Sequence, residues 1–352
     1  MKRRIWLSIV GLTIGLYLSF TAVKPNQTEL PTRISQNPTD IIGSLYLPPR
    51  KDFRAVVISD LNSQYGSTDY EPEVDTAIAL IPQWQPDLVI CGGDMIAGQK
   101  TTLTKAEIEA MWTAFDRHIA EPLRSYNIPF AFTIGNHDGS GAIKDRSLIF
   151  ERERDLARAY WQQHQQQLGL QFVDRANFPF YYSFQINGIF FLVWDASTQN
   201  ISSQQLDWVQ SALNGAAARQ ATVRVAVGHL PLYPIAAAKN KPGEYLANAE
   251  QLRTLLERNQ VLMYVSGHHH AYYPGKMGDL QLLYAGALGQ GPRQLINSDL
   301  LPAQTLTVVD LELASARLSY TTYDAKTWQA ISQQSLPRSI PSDYGRIIRQ
   351  DL

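Results

Sequence analysis

One pattern, repeated five times, constrains this chain more than any other: a short apolar run of strand type, a small residue or glycine, then a side chain competent to bind metal. Val57-Ile58-Ser59 leads into Asp60-Leu61-Asn62, Ile90-Cys91-Gly92-Gly93 into Asp94, and Thr133-Ile134-Gly135 into Asn136-His137-Asp138. Later, Ala226-Val227-Gly228 leads into His229, and Val265-Ser266-Gly267 into His268-His269-His270. Each run delivers the backbone to a sheet edge, and glycine there permits a tight turn. Singly these features carry little, since an aspartate after a strand is ordinarily a turn former or helix cap. Together they present oxygen and imidazole donors at corresponding strand ends, where open α/β sheets bind their ligands.

The rest of the pattern agrees with a layered α/β domain. Strands are expected at 55–59, 87–91, 130–134, 180–184, 189–194, 222–227, 261–266, 305–313 and 317–323, with Asn187-Gly188 as a hairpin turn. Helices are expected at 71–84, 104–126, 148–167 and 246–258, the third facing solvent. Residues 53–325 read as one domain and 326–352 as a polar, loosely packed C-terminal extension. Lys2-Arg3-Arg4 followed by the apolar run 5–23 reads as a signal peptide or an N-terminal membrane anchor, and the proline-punctuated stretch 24–52 as a linker. The chain is therefore expected to be exported: periplasmic, or anchored to the outer face of an inner membrane.

Composition excludes several classes. With 31 Lys+Arg against 32 Asp+Glu, no global basic field recruits nucleic acid or anionic lipid, and membrane contact is expected only through the N-terminal segment. The single cysteine, Cys91, excludes an intrachain disulfide and thiolate-rich metal frameworks. Any metal must sit on His, Asp, Glu or Asn.

In this order and spacing the clusters resemble the calcineurin-like metallophosphoesterase family, whose pattern runs Asp-x-His, Gly-Asp, Gly-Asn-His-(Asp/Glu), Gly-His and Gly-His-x-His. The resemblance covers residues 54–325 and implies a four-layer αββα sandwich of two mixed β-sheets flanked by helices. It implies two divalent metal ions, manganese, iron or zinc, with Asp94 bridging both. Asp60 and His270 then match ligands of the first ion, and Asn136, His229 and His268 those of the second. His137 matches the non-ligand histidine that faces the scissile phosphate, with Asp138 orienting its ring, while His269 points elsewhere. The implied reaction is hydrolysis of a small phosphate ester, monoester or diester, by a bridging hydroxide.

One block departs from the family. Asn62 stands where a ligand histidine is usual, and its amide is a poorer donor than imidazole. Purple acid phosphatases, which also lack this histidine, compensate with a tyrosine three residues after the Gly-Asp aspartate. Here that place is Ala97, which leaves Tyr65 or Tyr70 to approach from the loop. A metal- or phosphate-binding module with weak or lost turnover is therefore the competing reading. Tyr233 and Arg293 are further candidates for substrate contact, Arg293 as a partner for phosphate oxygens.

Overall fold

A computed structural model describes residues 38–352. The expected signal or anchor at 5–23 and the linker residues 24–37 lie outside the described residues. Among the described residues, no helix is long and apolar enough to cross a membrane.

Among the described residues, sixteen strands follow in chain order: β1 (Phe53–Ile58), β2 (Leu88–Cys91), β3 (Phe130–Phe132), β4 (Ile143–Lys144), β5 (Ser147–Leu148), β6 (Gln171–Asn177), β7 (Tyr181–Ile186) and β8 (Ile189–Val193). They continue as β9 (Val223–Val227), β10 (Val261–Ser266), β11 (Tyr272–Met277), β12 (Leu280–Ala285), β13 (Thr305–Glu312), β14 (Arg317–Asp324), β15 (Ser339–Ser342) and β16 (Gly345–Arg349). A five-stranded sheet has the order β14-β13-β1-β2-β3, a nine-stranded sheet the order β15-β16-β11-β12-β10-β9-β8-β7-β6, and β4-β5 form a small hairpin. Both large sheets are mixed. β1, β2 and β3 are parallel to one another with β13 antiparallel to β1, and β8, β9, β10 and β12 form a parallel block with antiparallel neighbours on both sides.

The central strands form where β-branched, aromatic and other apolar residues predominate, as in LVIC of β2 and IFFLV of β8. Every residue of β1, β2 and β8 is buried, the mark of strands covered on both faces. Withdrawing Val56, Val57 and Ile58 from water contributes about 1.5–3 kcal/mol each. The β7–β8 connection is the expected Asn-Gly turn, with left-handed φ at Asn187 (48°) and Gly188 (77°).

Helix content follows local chemistry, but the Ser203–Leu213 and Ala216–Gln220 helices are not among the expected ones, and two expected helices differ in form. The stretch expected at 104–126 starts with a capping box between Thr104 and Glu107, runs as a helix over Lys105–Phe115, widens into a π turn over Asp116–Ala120 and resumes over Glu121–Ser125. Pro122 lacks the N–H that an unbroken α-helix requires, and the wider turn absorbs the defect. The Glu151–His164 helix does not simply face solvent: Glu153, Arg154, Ala157 and Trp161 form an inward stripe at helical spacing.

The chain ends differ most from the sequence reading. Residues 38–52 pack on the core through buried Ile41 and Leu45, and the Pro48 carbonyl accepts a hydrogen bond (2.7 Å) from Arg54, itself in a buried ion pair with Asp310. Residues 326–352 are not a loose extension. Trp328, Leu336, Ile340 and Ile347 are buried, and β16 pairs with β11 while β15 closes that edge of the nine-stranded sheet. Their alternation is short and interrupted by Pro341, so the local pattern alone does not announce strands.

Candidate metal centre

The five clusters follow five parallel strands: β1, β2 and β3 of the smaller sheet, β9 and β10 of the larger. Backbone hydrogen bonds lock the ends together within and between sheets. Asp60 N–H donates to the Gly93 carbonyl (2.9 Å) and Leu61 N–H to the Asp94 carbonyl (2.9 Å), while Leu288 N–H reaches the Ser59 carbonyl (2.9 Å). Asp60 (φ 52°), Asp94 (57°), His268 (63°) and His270 (50°) all adopt the left-handed conformation that non-glycine residues rarely populate. Such strain persists only where surrounding bonds over-determine it, and it concentrates at functional sites.

Glycine acts here mainly by allowing close approach. Gly93 has a left-handed φ of 95°, as a tight turn requires. Gly135 does not; a Cβ there would lie 2.2 Å from Asp94 Oδ1. The absent side chain is what lets the third cluster close on the second.

Two groups of donors result, and they share one residue. Asp60, Asp94 and His270 form one; Asp94, His229 and His268 form the other, with all donor atoms of each group within 4.8 Å of one another. Asn136 joins the second group, its Oδ1 2.9 Å from His229 Nε2. Asp60, Asp94, His229 and His268 are buried.

The outward nitrogen of each imidazole is already committed. His229 Nδ1–H donates to the Gly92 carbonyl (2.7 Å), His270 Nδ1–H to the Gln290 and Gly291 carbonyls (3.0 Å each), and His268 Nε2–H to the Glu244 carboxylate (2.9 Å). Asn136 Nδ2 donates to Gln99 Oε1 (2.8 Å), which turns Oδ1 inward. With the rings neutral, what remains inside is acceptors facing acceptors: His229 Nε2 lies 2.9 Å from Asn136 Oδ1, 3.3 Å from Asp94 Oδ2 and 3.3 Å from His268 Nδ1. This arrangement needs positive charge among the atoms, a metal ion or a proton on His229 Nε2, and the mixed N and O set suits zinc, iron or manganese. The residues present therefore fit the divalent ions that the sequence pattern implies.

Without an ion, a proton on His229 balances the Asp94 charge. Burial opposes charge on Asp94, but the His229 and His137 imidazoles hold its carboxyl well below the ordinary range. Burial alone would lower the His229 pKa; the Asp94 charge beside it instead raises it to about 9. For His268, burial and the neighbouring His229 and Lys239 charges lower the pKa.

Other expected residues fall differently. The His137 ring is oriented by the Gly98 carbonyl, which accepts from Nδ1–H (3.0 Å), and not by Asp138. Asp138 instead accepts from the backbone N–H groups of Asp94 (2.8 Å), Met95 (2.7 Å), Ile96 (3.0 Å) and Gly135 (2.8 Å), clamping the second cluster to the third. Burial and the Asp94 charge push its carboxyl up to about 7. Asn62 is buried beside the first donor group; its backbone carbonyl accepts from Gln290 N–H (3.2 Å), and its side-chain amide makes no hydrogen bond among the described residues. Tyr70 is turned away, donating to the Met95 carbonyl (2.8 Å). The Tyr65 ring lies against His137 at 5.0 Å between centroids.

Tyr233 does not line the centre. It is fully buried and donates its hydroxyl to Glu250, so it packs the Ala249–Arg258 helix onto the sheet. Arg293 donates its backbone N–H to the His270 carbonyl (2.8 Å), but its side chain lines a largely apolar cavity with Leu295, Leu300 and Leu336 that none of the metal-competent residues borders. His269 is a buried packing residue, accepting from Ile235 and Ala236 N–H (3.2 and 3.3 Å); burial holds its pKa down at about 3. Sequence reading missed Gln99, Glu153 and Glu244. Glu153 accepts from Gln99 N–H (2.8 Å) and Lys100 N–H (3.1 Å), holding the loop that carries Gly98 and Gln99. None of the three sits in a cluster of its own, so no local signal marks them.

Comparison with known proteins agrees with this geometry. The chain belongs to the calcineurin-like phosphoesterase family, whose sequence profile matches residues 53–272. It is similar to Probable purple acid phosphatase 20 of Arabidopsis thaliana, 24% identical over 193 residues covering 54% of this chain and 41% of that protein. Among solved structures it resembles purple acid phosphatase PPD1 from yellow lupin (Lupinus luteus) seeds, with a TM-score of 0.56 at 14% identity over 82% of this chain and 54% of that one. It also resembles GAP50, the anchor in the inner membrane complex of Plasmodium, with a TM-score of 0.52 at 14% identity over 80% and 87% of the two chains. The chain thus spans about two-fifths of the curated relative and about half of the lupin enzyme.

Proposed function

We propose that this protein hydrolyses phosphate esters at a two-ion centre, outside the cytoplasm. The observation that carries the reading is the pair of donor groups sharing Asp94, with the inward atoms of Asn136, His229 and His268 turned toward one another by their outer partners. Divalent ions bound by these two groups would supply phosphate charge neutralisation and a water of lowered pKa.

The chain's own groups would do the rest. Asp94, common to both donor groups, would hold both ions, and Asp138 keeps its loop from relaxing through four backbone hydrogen bonds. His137 is fixed by Gly98 with its Nε2 3.9 Å from Asp94 Oδ2, so that nitrogen faces the reacting region. Protonated there, it can stabilise the transferring phosphoryl group or give its proton to the leaving oxygen. Export rests on Lys2-Arg3-Arg4 and the apolar run 5–23.

Asn62 supports a second reading, in which the first ion binds too weakly for turnover and the protein only holds metal or phosphate. One experiment separates the two. Chelator-stripped protein is titrated with manganese, zinc and iron while hydrolysis of p-nitrophenyl phosphate and bis-p-nitrophenyl phosphate is followed, beside Asp94→Asn. Metal-restored turnover that Asp94→Asn abolishes is the expected result. Tight binding of a single ion with no turnover favours the binding module, and full activity in Asp94→Asn overturns the two-ion centre.

A further inference from the structure

Tyr65 is exposed over 57% of its surface, yet its ring meets the His137 imidazole at 5.0 Å and 38°. Its hydroxyl makes no hydrogen bond among the described residues, so neither burial nor polar pairing explains an aromatic here. The loop beneath it is held in place. Gly66 N–H donates to the Ala97 carbonyl (2.7 Å), Ser67 N–H to the Gln64 carbonyl (2.9 Å), and Ser63 Oγ to the Asp69 carbonyl (2.7 Å). Gly66 takes a left-handed φ of 81°, and a Cβ there would press on Leu103 at 3.0 Å. Tyr65 is therefore presented by a bonded turn beside the ring that faces the scissile ester, with part of its surface open to solvent.

Resting on the phosphoesterase reading above, we infer that Tyr65 selects esters with a flat aromatic leaving group, stacking on that group as it departs past His137. In the reaction the P–O ester bond breaks, water supplies the new P–O bond, and the leaving aryloxide takes its proton from His137. An aryl ring whose ester oxygen reaches His137 Nε2 lies within reach of the Tyr65 ring; a short alkyl group does not fill that space. An offset aromatic pair changes an equilibrium by about two- to tenfold.

The test compares kcat/KM for phenyl phosphate and ethyl phosphate in the full chain, Tyr65→Ala and Tyr65→Phe, each loaded with the metal that best restores activity. The phenyl-to-ethyl ratio should fall by about fivefold in Tyr65→Ala and stay at the wild-type value in Tyr65→Phe. An equal loss on both substrates makes Tyr65 a support for His137 and overturns the inference, as does an unchanged ratio. Wild-type protein that turns over neither ester under any metal overturns this inference, and inactivity on bis-p-nitrophenyl phosphate as well overturns the phosphoesterase reading.

Discussion

Asn62 shows how one side chain sets the strength of a site. Its backbone is tied to both neighbouring loops, donating to the Asp94 carbonyl (3.2 Å) and accepting from Gln290 N–H (3.2 Å), so the side chain is held near the first donor group whatever its identity. Only Asp60, Asp94 and His270 form that group, whereas the second has Asp94, His229 and His268 with Asn136 added. Asn62→His would supply a fourth strong donor. We expect manganese affinity at the weaker site to rise by at least about tenfold, the size that outer partners of ligands alone command. Calorimetric titration of stripped protein checks this; an unchanged weaker step would mean that position 62 does not reach the ion.

The Glu151–His164 helix acts on the centre without touching it. From its inward face Glu153 holds the loop carrying Gly98, whose carbonyl aims His137, and Gln99, whose amide oxygen turns Asn136. Burial raises the Glu153 carboxyl above the ordinary range, with the two N–H donors opposing it, so the residue is kept polar at some cost. Glu153→Ala leaves those N–H groups without their partner, a loss of about 1–3 kcal/mol for any that stays buried. Turnover should fall by roughly tenfold, within the range lost when a positioned proton donor is disturbed. Metal content, read by atomic emission, should remain because Glu153 touches none of Asp60, Asp94, His229, His268 and His270, and only Asn136 loses the support of an outer partner. Unchanged kcat would show that the loop keeps its shape unaided.

Across the whole molecule, the last strands complete a sheet that begins more than a hundred residues earlier. Ile347 is fully buried and seated on Gly275 of β11, where a Cβ would lie 2.5 Å from its methyl group. Ile347→Ala should cost about 2–5 kcal/mol. Thermal unfolding followed by circular dichroism should show a Tm lower by several degrees, with turnover at low temperature retained. An unchanged Tm would return residues 326–352 to the status of a dispensable tail.

The donor set and the class of fold were legible in local pattern, because an apolar run, a glycine and a polar residue are neighbours in the chain and obey short-range rules. The Asn187-Gly188 hairpin and the capping box at Thr104 were equally local. Roles that depend on direction were not legible. Asp138 stands beside His137, yet its carboxylate serves N–H groups more than forty positions upstream. Tyr233 stands four residues after a ligand and packs beneath a helix. The left-handed turns at Asp60, Asp94, His268 and His270 aim these side chains, and those turns are imposed by hydrogen bonds between strand ends from two different sheets. Residue identity decided which atoms could bind a metal. Only the closing of one sheet edge on the other decided which of them meet, because that closure pairs groups more than two hundred residues apart, beyond the reach of any local preference.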